Sequence, residues 1–193
     1  MIEYNFTPQQ AEELTQKALE AYIKIVGVAD KNNGKINDGE VFTPHNIVCD
    51  MCNLANTKLS DLKATVLEPA CGSGNILIEI LRRKLATALV LSKNSDELQE
   101  NMLWAVKSIY GIDISKANIY ACKDRLFGIL SSLCTNLGIS DFKESEFLHV
   151  LDKNILCGDS LNTDFSVYNW YTNKYELLYD TPVSNDEFSI WDI

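Results

Sequence analysis

Val66-Leu67-Glu68-Pro69-Ala70-Cys71-Gly72-Ser73-Gly74-Asn75 decides how this 193-residue chain folds. Val66 and Leu67 read as a buried strand that stops at an acid, small residues turn the chain, and a helix opens near Asn75 with Ile76, Leu77, Ile80 and Leu81 on one face. Gly72 and Gly74 let the backbone approach a ligand, and the free N–H groups of the helix's first turn point at the same loop. A small polar ligand is expected there. A strand, a glycine turn and a helix also describe a dinucleotide site, but that fingerprint requires G-x-G-x-x-G and its third position here is Leu77. An acid directly before the turn suits a cationic or hydroxyl-bearing ligand better than a pyrophosphate.

Three further segments fall in order around the loop. Upstream, Gly39-Glu40-Val41-Phe42-Thr43-Pro44 runs into a helix-like stretch carrying Ile47, Val48, Met51, Cys52, Leu54 and Ala55, with Thr43 placed as N-cap and Pro44 as first helical residue. Downstream, Ser108-Ile109-Tyr110-Gly111-Ile112-Asp113 is a short strand ending in an acid, and Asn154-Ile155-Leu156-Cys157-Gly158-Asp159-Ser160-Leu161 repeats the pattern. Taken singly, the Thr-Pro pair is an ordinary helix start, Asp113 a helix cap and Gly158-Asp159 a plain turn. Taken together, the four segments resemble the S-adenosylmethionine-dependent N6-adenine DNA methyltransferases.

That resemblance implies a Rossmann-like class I methyltransferase fold with N-terminal helices, and S-adenosyl-L-methionine as cofactor. It implies that Phe42, Thr43 and Pro44 contact the methionine end. Glu68, Pro69, Ala70, Cys71, Gly72, Gly74 and Asn75 form motif I, Asp113 with Ile114 forms motif II at the ribose, and Asp159 with Ser160 forms motif III at the adenine amino group. The family's catalytic motif, Asn/Asp-Pro-Pro-Tyr/Phe, has no match, because no Pro-Pro pair occurs in the sequence. Asp180-Thr181-Pro182-Val183, after the strand-like Tyr175-Glu176-Leu177-Leu178-Tyr179, is the nearest approximation and makes Asp180 the catalytic candidate within the chain. Otherwise Phe188-Ser189-Ile190-Trp191-Asp192-Ile193 resembles the lead-in to the fourth strand, and the catalytic motif is expected beyond it.

The coarse pattern agrees with a parallel α/β sheet. Residues 8 to 27 carry a broad apolar helical stripe (Ala11, Leu14, Ala18, Leu19, Tyr22, Ile25, Val26), starting at Thr7-Pro8. A strand over 64–68 is followed by helix over 75–106, broken near Ser92-Lys93-Asn94-Ser95, so that a helical hairpin accounts for the 45 residues between Glu68 and Asp113. Helix over about 115–136, a loop and a strand near 154–157 complete the series, with ligands expected at the carboxyl ends of the strands. We read residues 1–60 as an N-terminal helical segment with the Phe-Thr-Pro motif. Residues 61–193 read as the cofactor-binding core, ending before the catalytic motif.

Composition narrows the partners. The chain has apolar residues enough (46%) for a core, no apolar run long enough for a membrane span and no signal-peptide pattern, so a cytoplasmic protein with reduced cysteines and no membrane partner is expected. Cys49-x-x-Cys52 lacks the second half of a zinc site and reads as core. The stretch from Asp30 misses the EF-hand glycine position and has Val41 where the bidentate acid belongs, so no metal is expected. With 17 basic against 27 acidic residues the chain is poorly suited to grip DNA alone, and from Asp159 onward Lys174 faces seven acids. DNA contact is therefore expected from a C-terminal part outside this chain or from a partner subunit. The rings Phe165, Tyr168, Trp170, Tyr171, Tyr175, Tyr179, Phe188 and Trp191 either pack on the sheet or cover a protein partner. The expected role is the cofactor-binding portion of an adenine N6-methyltransferase, itself inactive without the missing motif; the alternatives are a non-catalytic methyltransferase-like regulatory or partner protein, and a methyltransferase acting on a small molecule or protein.

Overall fold

Three short parallel strands order the computed structural model, which describes residues 4–26, 43–161 and 165–178. β1 (Val66–Glu68) pairs with β2 (Ile109–Asp113) through Val66 to Ile109 and Glu68 to Gly111, and β2 pairs with β3 (Ile155–Cys157) through Gly111 to Ile155 and Asp113 to Cys157. β2 is central. Its Ile109, Tyr110, Gly111 and Ile112 are all buried without alternation, the signature of a strand covered on both faces.

Helices fill the crossovers. Between β1 and β2 lie α4 (Asn75–Leu91) and α5 (Ser95–Lys107), the expected hairpin with its break at residues 92–94; Asn94 caps α5 by accepting from Glu97 N. Between β2 and β3 lie α6 (Lys116–Asn136) and α7 (Glu144–Asn154). The sequence pattern suggests only a loop before residue 154, yet Phe147, Val150 and Leu151 recur at helical spacing and are buried, with Glu144 and Glu146 favourably placed in the first turn. The N-terminal elements are α1 (Pro8–Val26), α2 (His45–Leu54) and α3 (Asn56–Leu59). Thr7 and Gln10 close α1 with a reciprocal capping box at 2.9 and 3.3 Å. α1 packs on α4 and α6, and α5 packs on α7.

Charge is threaded through this packing. α4 buries Glu79, Arg82 and Lys84 beside Leu77, Leu81 and Leu85. Burial pushes the Glu79 carboxyl up, but hydrogen bonds from Arg82 and Arg83 outweigh it and hold the group below the usual carboxylate range. Arg82 reaches Glu12 of α1, and Arg83 reaches the Cys49 carbonyl and Asn53 of α2. The ions are retained because each is matched; removing one partner would strand a buried charge.

The strand-like stretch at 175–179 does contain a strand, set apart from the parallel sheet. Its described part, β5 (Lys174–Leu177), forms an antiparallel hairpin with β4 (Ser166–Asn169) and does not join the parallel sheet. Asn169 Oδ1 accepts from Tyr171 N and Thr172 N, and Asn173 takes φ 55°, so asparagines build the turn. The hairpin is tied to the foot of the sheet. Buried Asn154 donates through Nδ2 to the Val106, Lys107 and Ile109 carbonyls and accepts from Trp170 Nε1 at 2.8 Å. Tyr168 and Trp170 pack edge to face, with Lys153 over Tyr168, while Tyr171 and Tyr175 are exposed. The Asp180 motif, Tyr179, Phe188 and Trp191 lie outside the described residues.

Lys84 makes a pH signature. Its Nζ donates to the Asp61 and Ala64 carbonyls, and burial lowers its pKa from 10.5 to about 8. Between those values the unfolded chain holds a proton that the folded one has released, so Lys84 makes stability rise with pH across that window, by at most about 1.4 kcal/mol for each pH step of one. Denaturant titrations from pH 7.5 to 10.5 should show the wild type gaining stability relative to Lys84→Met, on top of a fall above about pH 9 that both share because burial raises the thiols of Cys52, Cys71 and Cys134; parallel curves would refute it.

Candidate functional site at the carboxyl ends of the strands

The glycine loop follows β1, and its shape is set by residues distant in sequence. Gly74 caps α4 at φ 88°, a conformation that L side chains rarely adopt, and a Cβ there would lie 2.6 Å from Cys122 Sγ of α6. Gly72 also has a positive φ, 52°, yet a Cβ on it would meet nothing within 4 Å. The loop is thus closed toward α6 at Gly74 and open at Gly72. Cys71 is buried against Cys122, which together with burial raises its thiol pKa well above the ordinary value.

Asp113 stands at the end of β2 facing that opening. Its Oδ2 accepts from Gly72 N at 2.9 Å, and its Oδ1 accepts from Ser115 N at 2.8 Å and from Asn118 Nδ2 at 3.3 Å. Cys71 N donates to the Ile112 carbonyl, and Gly158 N to the Asp113 carbonyl. The glycine loop, the end of β2 and the turn at Gly158 are therefore joined by direct hydrogen bonds at one end of the sheet. The cap of α6 is Ser115, whose Oγ accepts from Asn118 N, and not Asp113.

The remaining expected residues fall around this centre. Glu68 is buried; Oε1 accepts from Ala70 N at 3.2 Å, while Oε2 has no partner among the described residues. Burial raises its pKa, opposed by the Ala70 hydrogen bond. Ile114 is 78% exposed, an uncovered apolar side chain beside Asp113. Asp159 turns its Oδ1 onto Leu161 N. Pro69 and Ala70 lead from β1 into the loop, and Ser160 follows Asp159 on the same edge.

The Thr-Pro segment is also at the loop, with one correction. Pro44 is the N-cap, with φ −60° and ψ 148°, and α2 begins at His45; Thr43 lies outside the helix and makes no side-chain cap. The extended ψ of Pro44 moves the start by one residue. Thr43 instead presents its carbonyl to Asn75 Nδ2 at 3.4 Å. Phe42 lies outside the described residues.

Arg125 escaped the sequence reading. From α6 it reaches back to the loop, where Nη1 donates to the Ser73 carbonyl (2.8 Å), Ser73 Oγ (3.2 Å) and Asn75 Oδ1 (2.7 Å). Its only sequence signal is a charge three residues after Cys122 and one before Leu126, on the border of a buried stripe.

Comparison with known proteins accords with this geometry. Residues 14–127 match the model of the N-6 DNA Methylase family. The chain belongs to that family. The matched region runs from α1 into α6 and contains Thr43, the glycine loop, Asp113 and Arg125. Over 141 residues the chain is 31% identical to a Methanocaldococcus jannaschii protein named as a type II restriction enzyme and methyltransferase; the alignment takes in 67% of this chain and 12% of that relative. No solved structure matches. Among the described residues, no helix is long and apolar enough to cross a membrane, and no group of three or more His, Cys, Asp or Glu is placed to hold a metal ion.

Asp113→Asn tests the centre of this arrangement. The amide would either turn an N–H toward Gly72 N–H or give up Ser115 N, and hydrogen bonds to a charged acceptor are worth about 1.5–3 kcal/mol. Chemical denaturation should show a loss within that range with the far-ultraviolet spectrum preserved. An unchanged midpoint would mean that the carboxylate does not hold the loop.

Proposed function

We propose that this chain binds S-adenosyl-L-methionine and is the cofactor-binding portion of an adenine-specific N6 DNA methyltransferase of the restriction-modification kind. The observation that carries the reading is the Asp113–Gly72 hydrogen bond, which sets an open glycine turn and a strand-end acid side by side in a member of the N-6 DNA methylase family. The strand order, with β2 between β1 and β3, is half of a doubly wound sheet and supports a Rossmann-like class I methyltransferase arrangement.

The residues fit the cofactor. Glu68 Oε2, a buried acceptor without a donor among the described residues, suits the amino group of the methionine end. Asp113 retains an acceptor site on Oδ2 for a ribose hydroxyl, because each carboxylate oxygen can take two hydrogen bonds and Oδ2 has accepted, among the described residues, only the one from Gly72 N. Ile114 offers an apolar surface to the adenine, and Asp159 and Ser160 lie at the next strand end. When bound, the cofactor supplies a methyl group activated on sulfonium. The chain's own part is to bind and orient, since methyl transfer to an amino nitrogen depends chiefly on alignment. Base extrusion and DNA contact are assigned to other parts of the protein or to a partner.

Titration calorimetry should show saturable one-site binding of S-adenosylmethionine and S-adenosylhomocysteine, and the melting temperature should climb with ligand concentration. Absence of both heat and thermal shift at millimolar ligand, in folded protein, would overturn the cofactor reading.

Methyl transfer by the isolated chain should remain at background. The 193 residues contain no Asn-Pro-Pro-Tyr sequence, and a net charge of −10 disfavours approach to DNA. Incorporation of labelled methyl into adenine of mixed-sequence DNA would contradict this and direct attention to Asp180, whose replacement by Ala should then abolish transfer without changing cofactor affinity.

A further inference from the structure

Arg125 is a cation without a counter-ion. No carboxylate among the described residues lies within ion-pair distance, and its Nη1 serves three neutral acceptors: the Ser73 carbonyl, Ser73 Oγ and Asn75 Oδ1. Partial burial of a charge is costly unless its hydrogen bonds compensate. The arrangement is informative for what it does to Asn75. With Oδ1 engaged by the guanidinium, the amide can turn only its Nδ2 outward, and Nδ2 donates to the Thr43 carbonyl. Three segments separated by up to 82 residues are thereby chained: α6, the loop at the head of α4, and the Thr43-Pro44 approach to α2.

We propose that Arg125 is a positioning residue for the methionine end of the cofactor site, acting through Asn75 on Thr43. Asp113 holds the loop at Gly72, on the side assigned to the ribose; Arg125 holds it at Ser73 and Asn75, on the side assigned to the amino acid. The two anchors divide the ligand between them. Loss of Arg125 therefore penalises ligands that carry the amino-acid group and spares those that lack it. This deepens the cofactor reading and rests on it.

The test uses the whole chain as wild type, Arg125→Met, Arg125→Lys and Asn75→Ala, with S-adenosylhomocysteine and methylthioadenosine as calorimetric ligands. Arg125→Met and Asn75→Ala should each bind S-adenosylhomocysteine about tenfold more weakly, equivalent to about 1.4 kcal/mol. Their affinity for methylthioadenosine should change less than threefold, and Arg125→Lys should recover part of the loss. A non-specific structural defect would weaken both ligands alike, and that result overturns the proposal, as does wild-type selectivity in Arg125→Met. Amide hydrogen exchange without ligand supplies a second readout: residues 43–49 and 72–76 should exchange faster in both Arg125→Met and Asn75→Ala, with α5 and α7 unchanged. If the wild type binds neither ligand, the cofactor reading fails, and unaltered exchange would then overturn the Arg125 relay separately. If Arg125→Met does not fold, Asn75→Ala decides by the same two criteria.

Discussion

A carboxylate taking the N–H of a glycine turn is the constraint on which this site depends. Asp113 ends the central strand, Gly72 opens the loop after the neighbouring strand, and the 2.9 Å bond between them fixes where the loop's open side faces. The parallel register makes the bond possible, because Glu68 pairs opposite Gly111 and leaves Asp113 two residues further along, level with the turn. The same carboxylate takes Ser115 N, so the loop and the entrance to α6 share one anchor. A carboxyl group with two oxygens can do both; an amide cannot do so without presenting a donor to a donor.

Around that anchor the protein uses buried polarity sparingly and in matched sets. Glu79 satisfies Arg82 and Arg83, which in turn hold α1 and α2 against α4. Asn154 closes three carbonyls at the foot of the sheet and receives the hairpin through Trp170. Glu68 departs from the pattern, with one oxygen buried and unmatched at the loop. A buried carboxylate oxygen without a donor at a glycine turn is what a ligand's donor would complete.

The site is largely legible in the sequence because its chemistry is local. Glu68 to Asn75 announces a strand, a turn and a helix within ten residues, and Asp113 and Asp159 each end a short apolar run. What escapes are features decided by distant partners. α7 has a correct helical period, but its N-cap is Lys143, which makes no side-chain cap and gives no sign of a helix start. The β4–β5 hairpin turns on asparagines where Asn-Gly would be the recognisable signal, and its rings give no hint of which face they will meet. Thr43 and Pro44 stand one residue away from the expected register because a Thr-Pro pair fits either, and only the extended ψ of Pro44 chooses between them. Arg125 looks like the edge of an amphipathic stripe, since its acceptors lie some fifty residues upstream.

That distance has a consequence for how the protein is made. Every atom of the glycine loop is present once Asn75 has been joined to the growing chain, but Asp113, at the end of β2, and Arg125, in the middle of α6, come only later. At about 5–20 residues per second, the loop waits several seconds on the ribosome before its second anchor exists. Nascent chains that end at α5 contain the loop and neither of its anchors. The loop thus takes its final shape only after the helix that clamps it has been made.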